Sequence, residues 1–229
     1  MKRQISLDTE TTGFDPANGD RIVEIGAVEL IDGLRTGREF HVYINPERNV
    51  PQDAVDVHGL TTEFLRDQPT FAEIVDDLID FLGEDTDLIA HNAGFDAKFL
   101  RSEFSKLGIP PIAGERFIDS LEIAKQKFPG AQNNLDALCR RFGISLASRD
   151  KHGALIDARL LGDVFLELSG GRQRTLDLGL AAAETASADS LAAPRSRRPA
   201  RVIEPSPEEL AAHAAMVQGL KNALWGTAA

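Results

Sequence analysis

The sequence predicts an α/β fold with a mixed sheet and a C-terminal tail outside it. Within the first 45 residues, three strand-like segments are joined by short turns. From residue 69 to residue 168, short apolar strands alternate with amphipathic helices. Beyond Gly171 this periodicity gives way to a stretch rich in Ala, Ser, Pro and Arg, which is typical of a flexible linker.

The three N-terminal strands are predicted to form an antiparallel meander. The first passes through Ile5 and Leu7, and the second and third are predicted over 20–30 and 39–44. Asp32-Gly33 is a strong turn signal between the last two. Because the turns are short, we expect the first strand to be central, or next to central, in the sheet.

The following segment is predicted to be mostly loop and short helix over 51–68, before the helical half of the domain begins. A helix over 69–82 has one apolar face, formed by Phe71, Ile74, Val75, Leu78, Ile79 and Leu82. A helix over 93–107 is expected to turn inward Phe95, Phe99, Leu100, Phe104 and Leu107. The other predicted elements are strands 88–92 and 117–119 and helices 120–128, 134–142 and 154–168.

Composition limits the classes of function. The 229 residues are 42% hydrophobic and 27% charged, which is ordinary for a globular chain, and no apolar run approaches the roughly 20 residues that span a bilayer. The single cysteine, Cys139, excludes an intramolecular disulfide and is expected to be a buried thiol. We therefore expect a cytoplasmic protein without a membrane contact.

The charge distribution is uneven along the chain. The net charge is −11, whereas residues 171–202 carry +3 and the remainder −14. An acidic body is unsuited to broad binding of nucleic-acid phosphates, so metal ions would have to screen such a contact. The division predicted from composition is a domain over 1–170, a linker over 171–205 and an amphipathic segment over 206–229.

The first candidate site is the segment Asp8-Thr9-Glu10-Thr11-Thr12-Gly13, at the end of the first strand. Asp8 and Glu10 are two residues apart, so both side chains should project from one face of the sheet. Two adjacent carboxylates repel each other, and a fold keeps such a pair mainly when a cation lies between them. The alternative is a solvated strand end that carries two acids by chance.

The second candidate site is Asp96, where a strand end meets a helix start. A carboxylate in the first helical turn is also favoured by the helix dipole, so Asp96 could be a simple helix-start acid. Nearby, Asn92 could be an ordinary turn residue, and Phe95 could be a core residue rather than a platform on which a base stacks.

The third candidate site is the pair His152 and Asp157. Five positions on a helix correspond to about 500°, so the two side chains would not share a face if both were helical. We therefore expect His152 on the loop before the helix and Asp157 on the helix. A loop histidine is often merely solvated, but a base that titrates near neutral pH needs this exposure.

Taken together, these sites supply four acids and one histidine. Carboxylate oxygens suit Mg²⁺ or Mn²⁺ rather than zinc, whose sites favour His and Cys. Two such ions about 3.5–4 Å apart can activate a water molecule and stabilise a departing oxygen in phosphodiester hydrolysis. The residues concerned are Asp8, Glu10, Asp96, Asp157 and, as the base, His152.

The ordered set Asp8-x-Glu10, Asp96 and His152-x4-Asp157 resembles the DEDDh 3′–5′ exonuclease superfamily, over about residues 4–168. The resemblance implies a ribonuclease H-like fold, four acids that bind two divalent ions, and a histidine that acts as general base. Four longer segments are similar to the epsilon-subunit family of bacterial DNA polymerase III, the proofreading exonucleases: 8–13, 57–60, 91–96 and 152–157.

The same resemblance implies residues that contact the 3′-terminal nucleotide. The histidine of the Val-His-Gly motif is His58 here, and the acid five residues before it, commonly Glu in the family, is the shorter Asp53. Without the resemblance, His58 could be a loop histidine that caps a helix. The full set expected to contact substrate is Asp8, Glu10, Thr11, Asp53, His58, Asn92, Phe95 and Asp157.

The tail is interpreted through the same resemblance. Residues 173–178 are similar to a sliding-clamp-binding peptide, whose expected contacts are Gln173, Leu176 and Leu178. Residues 206–226 would dock on the polymerase (alpha) subunit through one stripe that includes Leu210, Val217, Leu220, Leu224 and Trp225. From the residues alone, this segment could also be a fraying tail, and a small accessory subunit on the domain is a further partner left open.

The expected function is therefore a metal-dependent 3′–5′ DNA exonuclease that proofreads for the replicative polymerase. It would release 5′-mononucleotides from a single-stranded or frayed 3′ end. Two alternatives stay open: a DEDDh exoribonuclease that trims RNA 3′ ends, and a non-catalytic adaptor between polymerase and clamp. Residues 171–229 argue against the first, and the mutually repelling acids argue against the second.

Overall fold

The computed structural model describes residues 1–147, 152–171 and 205–218. The chain divides into two units, Met1–Leu176 and Asp177–Ala229. No helix within the described ranges is long and apolar enough to cross a membrane. The predicted clamp and docking residues Gln173, Leu176, Leu178, Leu220, Leu224 and Trp225 lie outside the described residues.

The first unit is built on a five-stranded mixed sheet with the strand order β3-β2-β1-β4-β5. As predicted, the first strand is central, and β1, β2 and β3 form an antiparallel meander. On the other side of β1, β4 and β5 pair in parallel. The strands are β1 (Arg3–Thr11), β2 (Ile22–Ile31), β3 (Leu34–Tyr43), β4 (Asp87–Ala90) and β5 (Phe117–Asp119).

Seven α-helices of the described residues belong to this unit. They are α1 (Gln52–His58), α2 (Thr62–Leu65), α3 (Phe71–Leu82), α4 (Ala93–Lys106), α5 (Ser120–Lys127), α6 (Leu135–Phe142) and α7 (Ala154–Leu168). The start of α3 has a local cause, because Thr70 and Glu73 form a capping box. The prediction of an α/β fold with a mixed sheet is confirmed.

The helices cover both faces of the sheet. One face, with Ile5 and Leu7 of β1, packs against α3 and α4. The other, with Val28 and Leu30 of β2, packs against α5, α6 and α7, where the Cys139 thiol is buried as predicted. The alternation of side chains along β1 therefore sends successive residues to different helical layers.

Several boundaries differ from the prediction by one or a few residues; the strand predicted over 88–92, for example, is β4 at Asp87–Ala90. Two of the differences are informative. β3 begins at Leu34 rather than at residue 39, because its exposed first half lacks the apolar alternation on which the prediction depended. Leu107 was predicted to face the core, but α4 ends at Lys106 and Leu107 is 39% exposed at its C-cap. Periodicity could not show that the helix stops one residue before this leucine.

The described part of the second unit is the helix α8 (Pro207–Gln218). As predicted, Pro207 is its first residue and Ser206 precedes it as a cap. The Ser206 hydroxyl accepts a hydrogen bond from the Glu209 N–H, and the Glu209 carboxylate accepts one from the Ser206 N–H. Leu210 and Met216 are more than half exposed, at 55% and 56%.

Candidate active site

The predicted catalytic residues gather at one edge of the sheet. β1 and β4 run in parallel towards this edge, and β1 continues to Thr11, past the end of β4 at Ala90. β1 carries Asp8 and Glu10, and Asn92, two residues after β4, opens α4. The carboxyl edge of parallel strands is a common position for binding sites in α/β folds.

Asp8 and Glu10 share a face of β1, as the sequence predicts. Their neighbours Leu7 and Thr9 are buried on the opposite side, while both acids are partly exposed. Asp8 lies opposite Gly26 of β2. Glu10 lies opposite Glu24, so a fifth carboxylate is adjacent to the cluster.

Asp96 belongs to α4, which lies with α3 on one face of the sheet. It lies in the first turn of α4, is 3% exposed, and its Oδ1 accepts a 2.7 Å hydrogen bond from the Thr9 hydroxyl. The turn before it is fixed by Asn92, which adopts a left-handed conformation with φ 68°. The Asn92 N–H donates to Asp119 Oδ1 at 3.1 Å, which ties the start of α4 to the end of β5.

His152 and Asp157 come from the opposite side of the sheet, at the N-terminus of α7. His152 precedes the N-cap Gly153, and Asp157 lies in the first turn, so the placement on loop and helix is as expected. His152 Nδ1 is 3.2 Å from Asp157 Oδ2, and the side chains are 52% and 5% exposed. The His152 N–H also donates to the Val57 carbonyl, 3.4 Å away, at the end of α1.

The electrostatics of this cluster are unfavourable without a cation. Burial raises the pKa of Asp8 well above its ordinary value, and the neighbouring charges of Asp96, Glu10, Asp157 and Glu24 raise it further. Burial likewise raises the pKa of Asp96 to about 7, although the hydrogen bond from Thr9 acts in the opposite direction. These carboxylates would ionise fully at neutral pH only if positive charge joined them.

The donor set fits a divalent cation. One ligand atom from each of Glu10, His152 and Asp157 lies within 4.8 Å of the other two. The surplus of negative charge around Asp8 also favours a bound cation. Its carboxylate oxygens are the hard ligands that Mg²⁺ and Mn²⁺ prefer.

A cavity of about 320 Å³ opens beside these residues. One wall holds Asp8, His152 and Asp157, and the other includes Asn134, Leu135 and Asp136 at the start of α6. His91 also lines this cavity, and its Nδ1 is 2.9 Å from the Ser120 hydroxyl. The second wall was not anticipated from the sequence, because nothing in the local pattern around residue 134 connects it to Asp8.

The residues predicted only as substrate contacts occupy varied positions. His58 is buried at the end of α1, and its Nδ1 accepts a 3.0 Å hydrogen bond from the Leu60 N–H. Asp53 is exposed in the first turn of that helix. The Thr11 hydroxyl donates to the Gly13 carbonyl at 2.6 Å, and the Phe95 ring packs on Phe99 with a centroid distance of 4.9 Å.

Comparison with known proteins shows the family to which the chain is similar. A family model described as exonuclease, of the RNase T type, matches residues 5–165. A DNA polymerase III subunit epsilon from Rickettsia felis is 47% identical over 215 residues, covering 92% of this chain and 93% of the relative. The subunit of that name from Escherichia coli strain K12 is 42% identical over 225 residues, covering 94% and 92%.

Solved structures give the same fold. Exonuclease X in complex with 5′ overhanging duplex DNA matches with a TM-score of 0.56 and 26% identity, over 73% of this chain and 90% of that one. The nuclease domain of 3′hExo, a DEDDh family member bound to rAMP, matches with a TM-score of 0.63 over 76% and 95%. Its identity is 21%, so it supports the ribonuclease H-like fold only.

The predicted fold and family are thus confirmed by independent comparisons. The exonuclease model covers the whole strand and helix arrangement that holds the acid cluster. The relatives align over almost their entire length as well as over almost all of this chain. This chain belongs to the family of DNA polymerase III epsilon subunits, the 3′–5′ proofreading exonucleases.

Proposed function

We propose that this exonuclease hydrolyses the terminal phosphodiester of a mispaired or frayed DNA 3′ end with the five residues Asp8, Glu10, Asp96, His152 and Asp157. The observation that supports this most directly is their convergence from β1, α4 and α7 on one sheet edge. The five residues are spread from residue 8 to residue 157, so no local feature of the sequence explains why they meet. Catalysis supplies a common reason.

The four acids would hold two divalent ions, Mg²⁺ or Mn²⁺. Such ions, when bound, polarise the phosphate, lower the pKa of a water molecule and stabilise the departing oxygen. The protein's contribution is a rigid set of ligands. Asp96 is fixed by the Thr9 hydroxyl, and Asp157 is fixed in the first turn of α7.

His152 would be the general base. The 3.2 Å contact between Nδ1 and Asp157 Oδ2 favours the tautomer in which Nδ1 carries the proton and Nε2 is the acceptor. Nε2 can then take a proton from the attacking water, whose oxygen forms a bond to phosphorus. The bond between phosphorus and the 3′ oxygen of the penultimate nucleotide breaks, which yields a 5′-mononucleotide and a new 3′ hydroxyl.

The terminal nucleotide would lie in the cavity between His152 and the start of α6. His58 Nδ1 accepts from the Leu60 N–H, so a neutral His58 ring carries its proton on Nε2 and can donate it to substrate. We assign further contacts to Thr11, Asp53, Asn92 and Phe95. The alignments with epsilon subunits, which cover 92% and 94% of this chain, support this assignment.

Membership of the epsilon family implies association with the polymerase III core. We propose that the tail of this chain makes that contact and that the protein acts in the cytoplasm. In this proposal residues 1–170 form the exonuclease domain, residues 171–205 a linker with a clamp-binding peptide, and residues 206–229 the polymerase-docking segment. The N-terminal cap of α8 and the presence of Leu210 and Val217 on this helix support the proposal of a docking segment. Tethering would raise the local concentration of an acidic enzyme at DNA.

The test is hydrolysis of a 3′-mispaired primer–template, compared with the matched duplex and with single-stranded RNA, in Mg²⁺, in Mn²⁺ and with chelator. We expect metal-dependent release of deoxynucleoside 5′-monophosphate, faster from the mispair. Faster cleavage of RNA would assign the chain to RNA trimming instead. No cleavage of any substrate would favour the adaptor.

The docking proposal has a separate test. A chain that ends at residue 205 should keep its hydrolysis rate but lose co-purification with the polymerase (alpha) subunit. Substituting Leu210 and Val217 together by Ser should weaken the same interaction, because both belong to the predicted stripe. Retained co-purification of the shortened chain would place the docking surface elsewhere.

A further inference from the structure

Gly26 of β2 lies at the contact between the sheet and the first turn of α7. It is paired with Asp8 across the β1–β2 ladder. A Cβ atom at this position would lie 2.2 Å from the Ala154 carbonyl carbon and 2.2 Å from the Leu155 nitrogen. Both are backbone atoms of α7, and side-chain carbons do not approach backbone atoms so closely.

The need for glycine here is one of space. The φ angle of Gly26 is not among the positive values in the described chain, so its backbone conformation is open to other residues. What an alanine would change is the separation of α7 from β2. Because the obstructing atoms belong to a helical backbone, they cannot move aside as the end of a side chain can.

A second contact fixes the same turn to β1. The Ser6 hydroxyl is buried and donates a 2.7 Å hydrogen bond to the Ala158 carbonyl. Ser6 lies two residues before Asp8 on the same strand, and Ala158 follows Asp157 on α7. The Ser6 contact therefore joins the strand that carries Asp8 and Glu10 to the start of α7, which carries Asp157. The Gly26 contact seats the same helix start on the neighbouring strand β2.

We propose that Gly26 and Ser6 are positioning residues that set the distance of Asp157 and His152 from Asp8 and Glu10. The inference rests on the proposed function, because that distance matters only if these groups hold metal and take a proton together. Neither residue would touch substrate. Moving the first turn of α7 outward would separate Glu10 from His152 and Asp157, whose ligand atoms now lie within 4.8 Å of one another.

Gly162 provides a matched control on the same helix. It faces the same sheet, but a Cβ there would meet Leu30 Cδ2 at 3.3 Å and Ser6 Cβ at 3.8 Å, both side-chain carbons. Leu30 can adjust by a small rotation. Gly162→Ala therefore tests the general sensitivity of the helix–sheet contact, eight residues after Ala154.

The experiment compares the full chain with its Gly26→Ala, Ser6→Ala and Gly162→Ala variants. Binding of Mn²⁺ alone is measured by calorimetry. The values of kcat and KM are measured on the mispaired primer, and Tm is measured by thermal unfolding. We expect Gly26→Ala to lower kcat by about 100-fold, because a displacement near 1 Å can have that effect. Its Mn²⁺ affinity should fall by about 10-fold or more, while KM for the primer changes little.

The other two variants make the outcome decisive. Ser6→Ala removes one hydrogen bond without adding bulk, so we expect a loss of about 10-fold in kcat and a measurable loss of Mn²⁺ affinity. Gly162→Ala should match the wild type in both quantities, whatever its Tm. If Gly26→Ala does not fold, the contrast between Ser6→Ala and Gly162→Ala decides the question.

Three results obtained with an active wild type would overturn the positioning role alone. They are a folded Gly26→Ala variant with wild-type kcat and Mn²⁺ affinity, a Ser6→Ala variant with the same wild-type values, and equal losses in Gly26→Ala and Gly162→Ala. An inactive wild type would overturn the proposed function, and the positioning role with it.

Discussion

The two helices that complete the site present their functional groups in contrasting ways. Asp96 of α4 is 3% exposed and accepts a hydrogen bond from a buried threonine. His152, on the loop before α7, is 52% exposed and touches the site through Asp157. One helix delivers a fixed buried acid, and the other delivers an accessible imidazole, the proposed base, beside a buried acid.

The contrast corresponds to two chemical tasks. A metal ligand acts best when its oxygen is immobile and shielded from competing water. A general base must lose its proton to solvent after each turnover, so exposure suits His152. If this explanation is correct, substitutions at the buried acids and at His152 should differ in kind as well as in size.

The largest effect is expected from an acid that the proposal makes a metal ligand. Asp8→Asn should lower kcat by about 1,000-fold or more, because metal-based charge stabilisation contributes several kcal/mol to the rate. It should not lower the Tm of the metal-free protein, since it removes one of several mutually repelling charges. Asp163→Asn, at a partly exposed acid on α7 that pairs with Arg35, is the control. Unfolding of Asp8→Asn would contradict the assignment.

His152→Ala should have a smaller effect. We expect kcat to fall by about 10²–10⁴-fold, the usual contribution of a positioned base. Mn²⁺ affinity should be largely kept, because the proposed metal ligands are the four acids. His213→Ala, on α8, should change neither kcat nor Mn²⁺ affinity. A His152→Ala variant with wild-type kcat would mean that another group takes the proton.

Thr9→Val examines how firmly Asp96 must be held. Valine keeps the shape of threonine but cannot donate to Asp96 Oδ1, so we expect activity and Mn²⁺ affinity to fall by about 10–100-fold. Thr9→Ser retains the hydroxyl and should recover most of both. If valine and serine behave alike, the hydrogen bond does not support Asp96 in catalysis.

The smallest effect concerns stability and pH. The pKa of Asp96 is raised from 3.8 to about 7, so between these values the folded state keeps a proton that the unfolded state has released. The metal-free protein should therefore lose stability as pH rises from about 4 to about 7, and change less above that. Asp96→Asn removes this titration and should be the more stable chain at pH 8.

Thermal unfolding with chelator at pH 5 and at pH 8 measures this difference. Mn²⁺ should stabilise the wild type more at pH 8 than at pH 5, because at pH 8 it no longer competes with a proton. It should stabilise Asp96→Asn less than it stabilises the wild type. If instead the Tm of the wild type rises with pH in parallel with the Tm of Asp96→Asn, Asp96 ionises normally in the folded protein. Interactions other than metal binding would then offset the cost of burying its charge.

Much of this arrangement could be predicted from local sequence. Alternation along a strand places Asp8 and Glu10 on one face, and helix periodicity places His152 outside α7. Both inferences need only a few neighbouring residues. The central position of β1 followed in the same way from short turns between consecutive strands.

The supporting residues could not be found in this way. Thr9 and Asp96 are 87 positions apart, and Ser6 and Ala158 are 152 apart. No periodicity connects such pairs, and Thr9 and Ser6 are ordinary residues for a strand. Gly26 has no turn around it that would mark it, so only the packing of α7 shows why it is glycine.

The hydrogen bond between Ser6 and Ala158 also has a consequence for biosynthesis. It joins the first strand of the domain to its last helix, so the site can close only after nearly the whole domain has been synthesised. A nascent or truncated chain that lacks α7 has Asp8, Glu10 and Asp96 but neither Asp157 nor His152. In the proposed mechanism, an incomplete chain would therefore lack nuclease activity because of topology alone, without an inhibitor or a separate activation step.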